Sequence, residues 1–285
     1  MFHVVTVHWR SDAWIVPQLQ YLRRHLPAGT RVYAALHGVD RKWFGEFDWA
    51  GDLDGTHAEK LNQLAAIVSR DAAPDDHLVF VDGDAFPIAT VDASLLVTVP
   101  LVAVCRAENL GDPQPHPCFC VTTLACWNEI AGDWRPGHTW VNSEGETVTD
   151  VGGNLLAALE RHGVSWRPLL RSNRVDLHPL WFAVYGDLVY HHGAGFRERI
   201  SRIDGIAETN PRLAAARSRV PNAVPVLGRL ERAMRYRIAA AKRERWLAHE
   251  GAAEEQLAHD IYEQLLVDDQ FYRRFTEPRT TAAGA

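Results

Sequence analysis

The chain is predicted to be an α/β protein, a Rossmann-like, mostly parallel sheet flanked by helices and followed by a C-terminal helical extension. Three observations lead there. Short apolar runs rich in β-branched residues alternate with segments of helical period through the first half of the chain. These runs are apolar throughout, the pattern of strands covered on both faces. From about residue 207 the strand signals stop and Ala, Arg and Glu take over.

The elements follow in order. Residues 3–8 (His-Val-Val-Thr-Val-His) make the first strand. Pro17, with fixed φ and no N–H to lose, suits a helix start, and Leu19, Leu22 and Leu26 carry that helix over 17–26. Residues 31–36 form the second strand, and a Trp-, Gly- and Asp-rich connection spans 37–55. Thr56 and Glu59 have the spacing of a capping box, with Leu61, Leu64, Ala65 and Val68 as the apolar stripe of the helix they open. Residues 77–82 (His-Leu-Val-Phe-Val-Asp) are the third strand, ending on aspartate. Further strands are expected at 100–105 and 117–124, separated by a Pro-rich stretch from 111 to 117, then a helix at 151–162 and a strand at 187–191.

The expected division is a catalytic domain over 1–206 and a helical extension over 207–285. In the extension, Leu227, Leu230, Met234, Ile238 and Ala241 share one helical face, with arginines on the others. Leu257, Ile261 and Leu265 repeat the pattern in a more acidic segment, so two helices are expected, packed on the main domain and on each other. The alternative is a basic helix lying on a membrane surface as a peripheral contact. The terminal Thr-Thr-Ala-Ala-Gly-Ala is expected to be disordered.

Composition narrows the function. The 285 residues are 47% hydrophobic and 23% charged, ordinary for a globular chain able to bury a core. A formal charge of -6 offers no general attraction to nucleic acid. The first residues lack a basic leader, and no apolar run nears the roughly 20 residues that span a bilayer, so a cytoplasmic protein is expected. Cys118, Cys120 and Cys126 cluster behind His116, with Cys105 apart, but their spacing is not that of common zinc sites, so buried reduced thiols are expected.

In open parallel sheets ligands bind beyond the carboxyl ends of the strands. Those ends carry His8, Trp9 and Arg10, then His37, then Asp82-Gly83-Asp84. Asp52-Leu53-Asp54 has the same spacing but lies in a polar loop, whereas Asp82 and Asp84 follow an apolar strand and flank a glycine that permits close backbone approach. Paired carboxylates there can hold a hard divalent cation, which neutralises charge developing on a diphosphate leaving group. The bland alternative is an Asp-Gly turn with Asp84 capping a local N–H.

Val-Phe-Val-Asp-Gly-Asp-Ala-Phe-Pro-Ile resembles the DxD segment of GT-A fold glycosyltransferases, and the resemblance extends over roughly residues 3–200. It implies a nucleotide-sugar donor, a UDP-sugar slightly favoured over others, an acceptor that is a small molecule or glycan, and a bound Mn²⁺ or Mg²⁺. Asp82 would face the donor ribose or the metal, and Asp84 would ligate the metal. The later Tyr-His-His-Gly-Ala-Gly segment resembles the late histidine and small loop of metal-dependent members, which implies a metal ligand at His192, with His191 the alternative, and Gly193 against the diphosphate. His8, Trp9 and Arg10 would line the donor site. Lys60, in the first turn of its helix, would meet phosphate. Asp150, at a helix start, would be the base deprotonating the acceptor hydroxyl in an inverting reaction, or else an N-cap. Trp127, Trp134, Trp140, Trp166 and Trp181 lie where acceptor sugar would stack, although burial is the ordinary fate of each.

Two other readings compete. A sugar nucleotidyltransferase needs a Gly-rich phosphate loop after the first strand, where this chain has Thr-Val-His-Trp-Arg-Ser-Asp. A non-catalytic nucleotide-sugar or carbohydrate-binding protein would share the aspartates.

Overall fold

The computed structural model describes residues 1–109, 111–142, 145–173, 183–192, 215, 225–268 and 270–271. It divides into two units, Met1–Phe196 with Leu265–Ala285, and Arg197–Gln264.

The first unit is a mixed α/β layer structure around a mainly parallel seven-stranded sheet. Its strands are β1 (Phe2–Trp9), β2 (Arg31–His37), β3 (Trp49–Gly51), β4 (His77–Asp82), β6 (Leu101–Cys105), β7 (Pro115–Thr123) and β10 (Trp166–Leu169), in spatial order β10-β6-β7-β4-β1-β2-β3. Only β7 runs against its neighbours, pairing antiparallel with both β4 and β6. Inner β1, β4 and β6 are buried on both faces, which is why the sequence shows them as unbroken Val, Ala and Phe runs. One apolar cluster, including Val4, Ile15, Leu22, Val79 and Phe119, fills the space under α1 (Ile15–His25). The other, including Val5, Leu61, Leu64, Phe80 and Trp134, lies under α2 (His57–Val68) and α4 (Gly153–His162).

The capping box at Thr56 and Glu59 forms as its spacing predicts, each side chain bonded to the other's backbone. The sequence missed the short elements. The connection 37–55 contains a 3₁₀ turn at Arg41–Glu46 and β3, and α3 (Leu124–Glu129) follows β7 directly. β7 also begins at Pro115, inside the stretch expected to separate strands, with a register shift opposite Ala103 and Val104. A short β8–β9 ribbon (Trp140–Val141, Thr147–Val148) precedes α4.

A second, three-stranded antiparallel sheet positions the site. β5 (Ala85–Pro87) leaves Asp84, and β12 (Val189–His191) pairs with it, with β11 (Ala183–Tyr185) outside. The register sets His191 opposite Ala85, and the His192 N–H donates to the Asp84 carbonyl over 2.9 Å. Phe271, buried, meets the Tyr190 ring edge-on at 4.9 Å and backs this strand.

In the second unit the described structure is α5 (Pro225–Leu265), a single helix of 41 residues that ends at the first unit's Leu265. The expected two helices are one, because Gly251 costs only about 1 kcal/mol inside a run of strong helix formers and does not end it.

Candidate metal and donor site

The site lies where β4 ends. Its last residue is Asp82, and after Gly83 the chain turns into β5 with Asp84 buried at the turn. β12 returns alongside and brings His191 to the same point. Candidate ligand atoms of Asp82, Asp84 and His191 all lie within 4.8 Å of one another. His191 Nε2 is 3.5 Å from Asp84 Oδ1 and 4.0 Å from Asp82 Oδ2. Among the described residues this is the one cluster of metal-ligand geometry. Two carboxylates and an imidazole are a donor set that could hold a divalent metal ion.

The histidine that lies beside the two aspartates is His191, where the sequence favours His192. Successive side chains on a strand point to opposite faces, and β12 gives His191 to the aspartates. His192 turns the other way, with its ring 4.4 Å from that of Trp14 and its Nδ1 sharing a 2.8 Å hydrogen bond with the Tyr190 hydroxyl. Burial pushes its pKa down to about 4, despite the charge of Asp84, so it is a neutral packing residue. Gly193 and Trp181 lie outside the described residues.

The turn is braced from the opposite side by Gln18, fully buried on α1. Its Nε2 donates to the carbonyls of Asp82 (2.7 Å) and Ala85 (2.9 Å), and its Oε1 accepts from Thr6 Oγ1 and His8 Nε2, each at 3.1 Å. His8 is therefore enclosed, its pKa lowered by burial to about 4, and it supports the turn where the sequence reading had it lining the donor site. Trp9 and Arg10 do reach solvent, Trp9 at 42% exposure, with the Arg10 guanidinium 4.5 Å above its ring. Arg10 holds a positive φ of 56°, and its N–H donates to the His37 carbonyl over 2.7 Å. His37 Nδ1 is 2.8 Å from Asp52 Oδ1, so the loop Asp-x-Asp at residues 52 and 54 is tied into a local pair.

The sequence reading missed His57. It opens α2, whose N-terminus points to the carboxyl end of the sheet, and its Nε2 lies 3.1 Å from Asp82 Oδ1. Burial disfavours its charged form, but Asp82 and then Asp84 outweigh that and raise its pKa above the ordinary value. Asp82 thus gives one oxygen to His57 and turns the other toward His191. One turn on, Lys60 is 5% exposed, and its ammonium has no hydrogen bond or ion pair among the described residues. Its charge opposes protonation of His57, so it belongs to the same electrostatic neighbourhood.

On the far side of the cluster the His116 ring is 6.1 Å from that of His191, and burial with the charge of Arg106 keeps it neutral. Arg106 is buried and reaches Asp150 Oδ2 at 3.3 Å and Asp112 Oδ2 at 3.6 Å. Burial lifts the Asp112 pKa to about 6 even beside that guanidinium. Asp150 is exposed and does not cap α4. The cap is Gly152, with φ 105°, where a Cβ would strike the Pro115 carbonyl oxygen. Asp150 Oδ1 instead accepts from the Val151 N–H at 2.8 Å. All four cysteines are buried and unpaired, and burial raises the Cys118 and Cys120 thiols well above their usual range. Of the tryptophans expected near an acceptor, Trp127 and Trp134 are buried in the core beside Phe80.

No family model matches the chain, and no curated protein does. Two solved structures of the glycosyltransferase GlyE of Streptococcus pneumoniae TIGR4, one of them the apo form, are similar over part of the fold. Identities are 15% and 16%, each match covers 46% of this chain and 36% of that one, and the TM-scores are 0.32 and 0.31. The chain spans little more than a third of the length of these structures, and the functional reading rests on the site itself.

Proposed function

We propose that the chain is a GT-A type glycosyltransferase that moves a sugar from a nucleotide-sugar donor to an acceptor hydroxyl, with Mn²⁺ or Mg²⁺ at Asp82, Asp84 and His191. The observation that supports it most is the convergence of those three side chains at the carboxyl end of a central strand. When bound, the ion would supply positive charge to the diphosphate leaving group.

The chain's own residues supply the rest. Lys60 has a mostly buried side chain whose ammonium has no protein partner among the described residues, and a donor phosphate would give it one. The α2 N-terminus adds its dipole to the same neighbourhood. Trp9 and Arg10 offer an exposed aromatic face and a cation for the nucleoside end of the donor. Asp150 is the candidate base. Its link through Arg106 to the wall that carries His116 ties the acceptor side to the metal side, and proton transfer to Oδ2 requires Arg106 to release that oxygen. A binding protein without transfer would keep Asp82, Asp84 and Lys60 and have no use for Asp150.

Calorimetry with UDP- and GDP-sugars, with and without Mn²⁺, tests the reading. Asp84→Ala is expected to abolish metal-dependent donor binding while the fold survives, and unchanged affinity would sink the site. Asp150→Asn is expected to lower turnover far more than donor affinity, and a product retaining the donor's anomeric configuration would remove Asp150 as base.

A further inference from the structure

The first half of α5 is unlike the rest of the chain. Residues 225–245 hold seven lysines and arginines against two glutamates, within a protein of net charge -6. Residues 246–265 hold five acidic residues and no lysine or arginine. Cations toward the N-terminal end and acids toward the C-terminal end run against the helix dipole, so the arrangement does not serve helix stability.

The same half carries an apolar stripe open to solvent. Leu227, Leu230, Met234 and Ile238 follow helical spacing and are 57%, 61%, 65% and 48% exposed. About 100° round the helix from the stripe, Gly228 and Ala239 are buried, so the stripe is a face separate from the buried one. Arg237 and Lys242, both exposed, flank the stripe.

We infer that this half of α5 lies in the surface of an anionic lipid bilayer, with Leu227, Leu230, Met234 and Ile238 among the acyl chains and the flanking cations at the headgroups. A solvated apolar stripe bordered by basic residues is the pattern of an in-plane helix. No described helix is long and apolar enough to span a membrane. A second copy fits less well. Parallel pairing would set basic half on basic half, and in antiparallel pairing the stripe would meet a segment whose Ile261 and Leu265 are already buried.

The test is flotation of the full chain with vesicles of phosphatidylglycerol and phosphatidylcholine in equal parts, against phosphatidylcholine alone. Binding is expected only to the anionic vesicles and should weaken with salt. Arg237→Gln with Lys242→Gln should reduce it about thirty-fold, at roughly 1 kcal/mol per cation. Leu230→Glu with Met234→Glu should remove it with the melting temperature unchanged, since both positions are solvent-exposed. Absence of flotation overturns the inference, as does flotation that survives the glutamate substitutions. A dimer in sedimentation velocity that those substitutions dissolve, without vesicle binding, assigns the stripe to a second copy and overturns it too.

Discussion

At the proposed site a metal ion would compete with a proton for the surroundings of Asp82. His57 sits 3.1 Å from Asp82 Oδ1, and the carboxylates of Asp82 and Asp84 raise its pKa above 6.5 against the cost of burial. For a group raised in the folded state, the ion-pair stabilisation is fully present below the unfolded value and fades as pH rises through the higher folded one. A divalent ion beside Asp82 opposes the imidazolium, so binding should expel its proton. One imidazole releases at most one proton, so His57 can contribute at most a tenfold rise in Mn²⁺ affinity per pH unit. The rise should occupy the window above about 6.5 and level off once His57 is neutral. His57→Gln carries an amide N–H close to the position of Nε2 and cannot titrate, so it should flatten this part of the profile. Isothermal calorimetry in two buffers of different ionisation enthalpy counts the protons directly. Equal proton release by wild type and His57→Gln, or affinity that falls as pH rises through this window, would refute the coupling.

Lys60→Met should separate stability from binding. Removing an ammonium that has no protein partner among the described residues is expected to leave Tm nearly unchanged, while donor affinity by calorimetry falls about 10–100-fold. Asp133 ties α2 to α4, accepting from Asn62 (2.6 Å), Asn154 (2.8 Å) and Arg135. Burial opposes its charge, but the hydrogen bonds of Arg135, Asn154 and Asn62 outweigh it and hold the pKa at about 2. A depressed carboxylate contributes above its unfolded pKa and loses that contribution as pH falls through the folded one. Urea melts should therefore show about 2 kcal/mol lost between roughly pH 4 and pH 2, a loss absent from Asp133→Asn.

Legibility in the sequence followed length of pattern. β1, β2, β4 and β6 could be read because each is a sustained apolar run in a central or near-central position. Strands β3, β5 and β11 are three residues each, too short for any period to show, and β5 and β11 matter because their sheet holds His191. Asp82 and Asp84 were legible from the strand before them. The choice between His191 and His192 was not, because it depends on the register of β12 against β5, and a one-residue slip exchanges the two faces. His57 was hidden by its capping residue. The Thr56 and Glu59 box drew attention to the start of the helix, and the side chain at its first position read as surface. Topology alone could have found it, since a crossover helix that leads into β4 starts at the sheet end where β4 finishes.

The pairing of β12 with β5 also sets when the site can exist. Asp82 and Asp84 are made early in the chain, but His191 reaches them only after the sheet between has been laid down and β12 has folded back onto β5. Long-range pairings of this kind form late, after the loop-closure entropy of the intervening chain has been met. A ribosome-bound chain that stops short of residue 191 would carry both aspartates and still lack the third side chain of the proposed metal site. Metal uptake would then report that β12 has closed onto β5, and a bound ion would pin two segments made far apart in time.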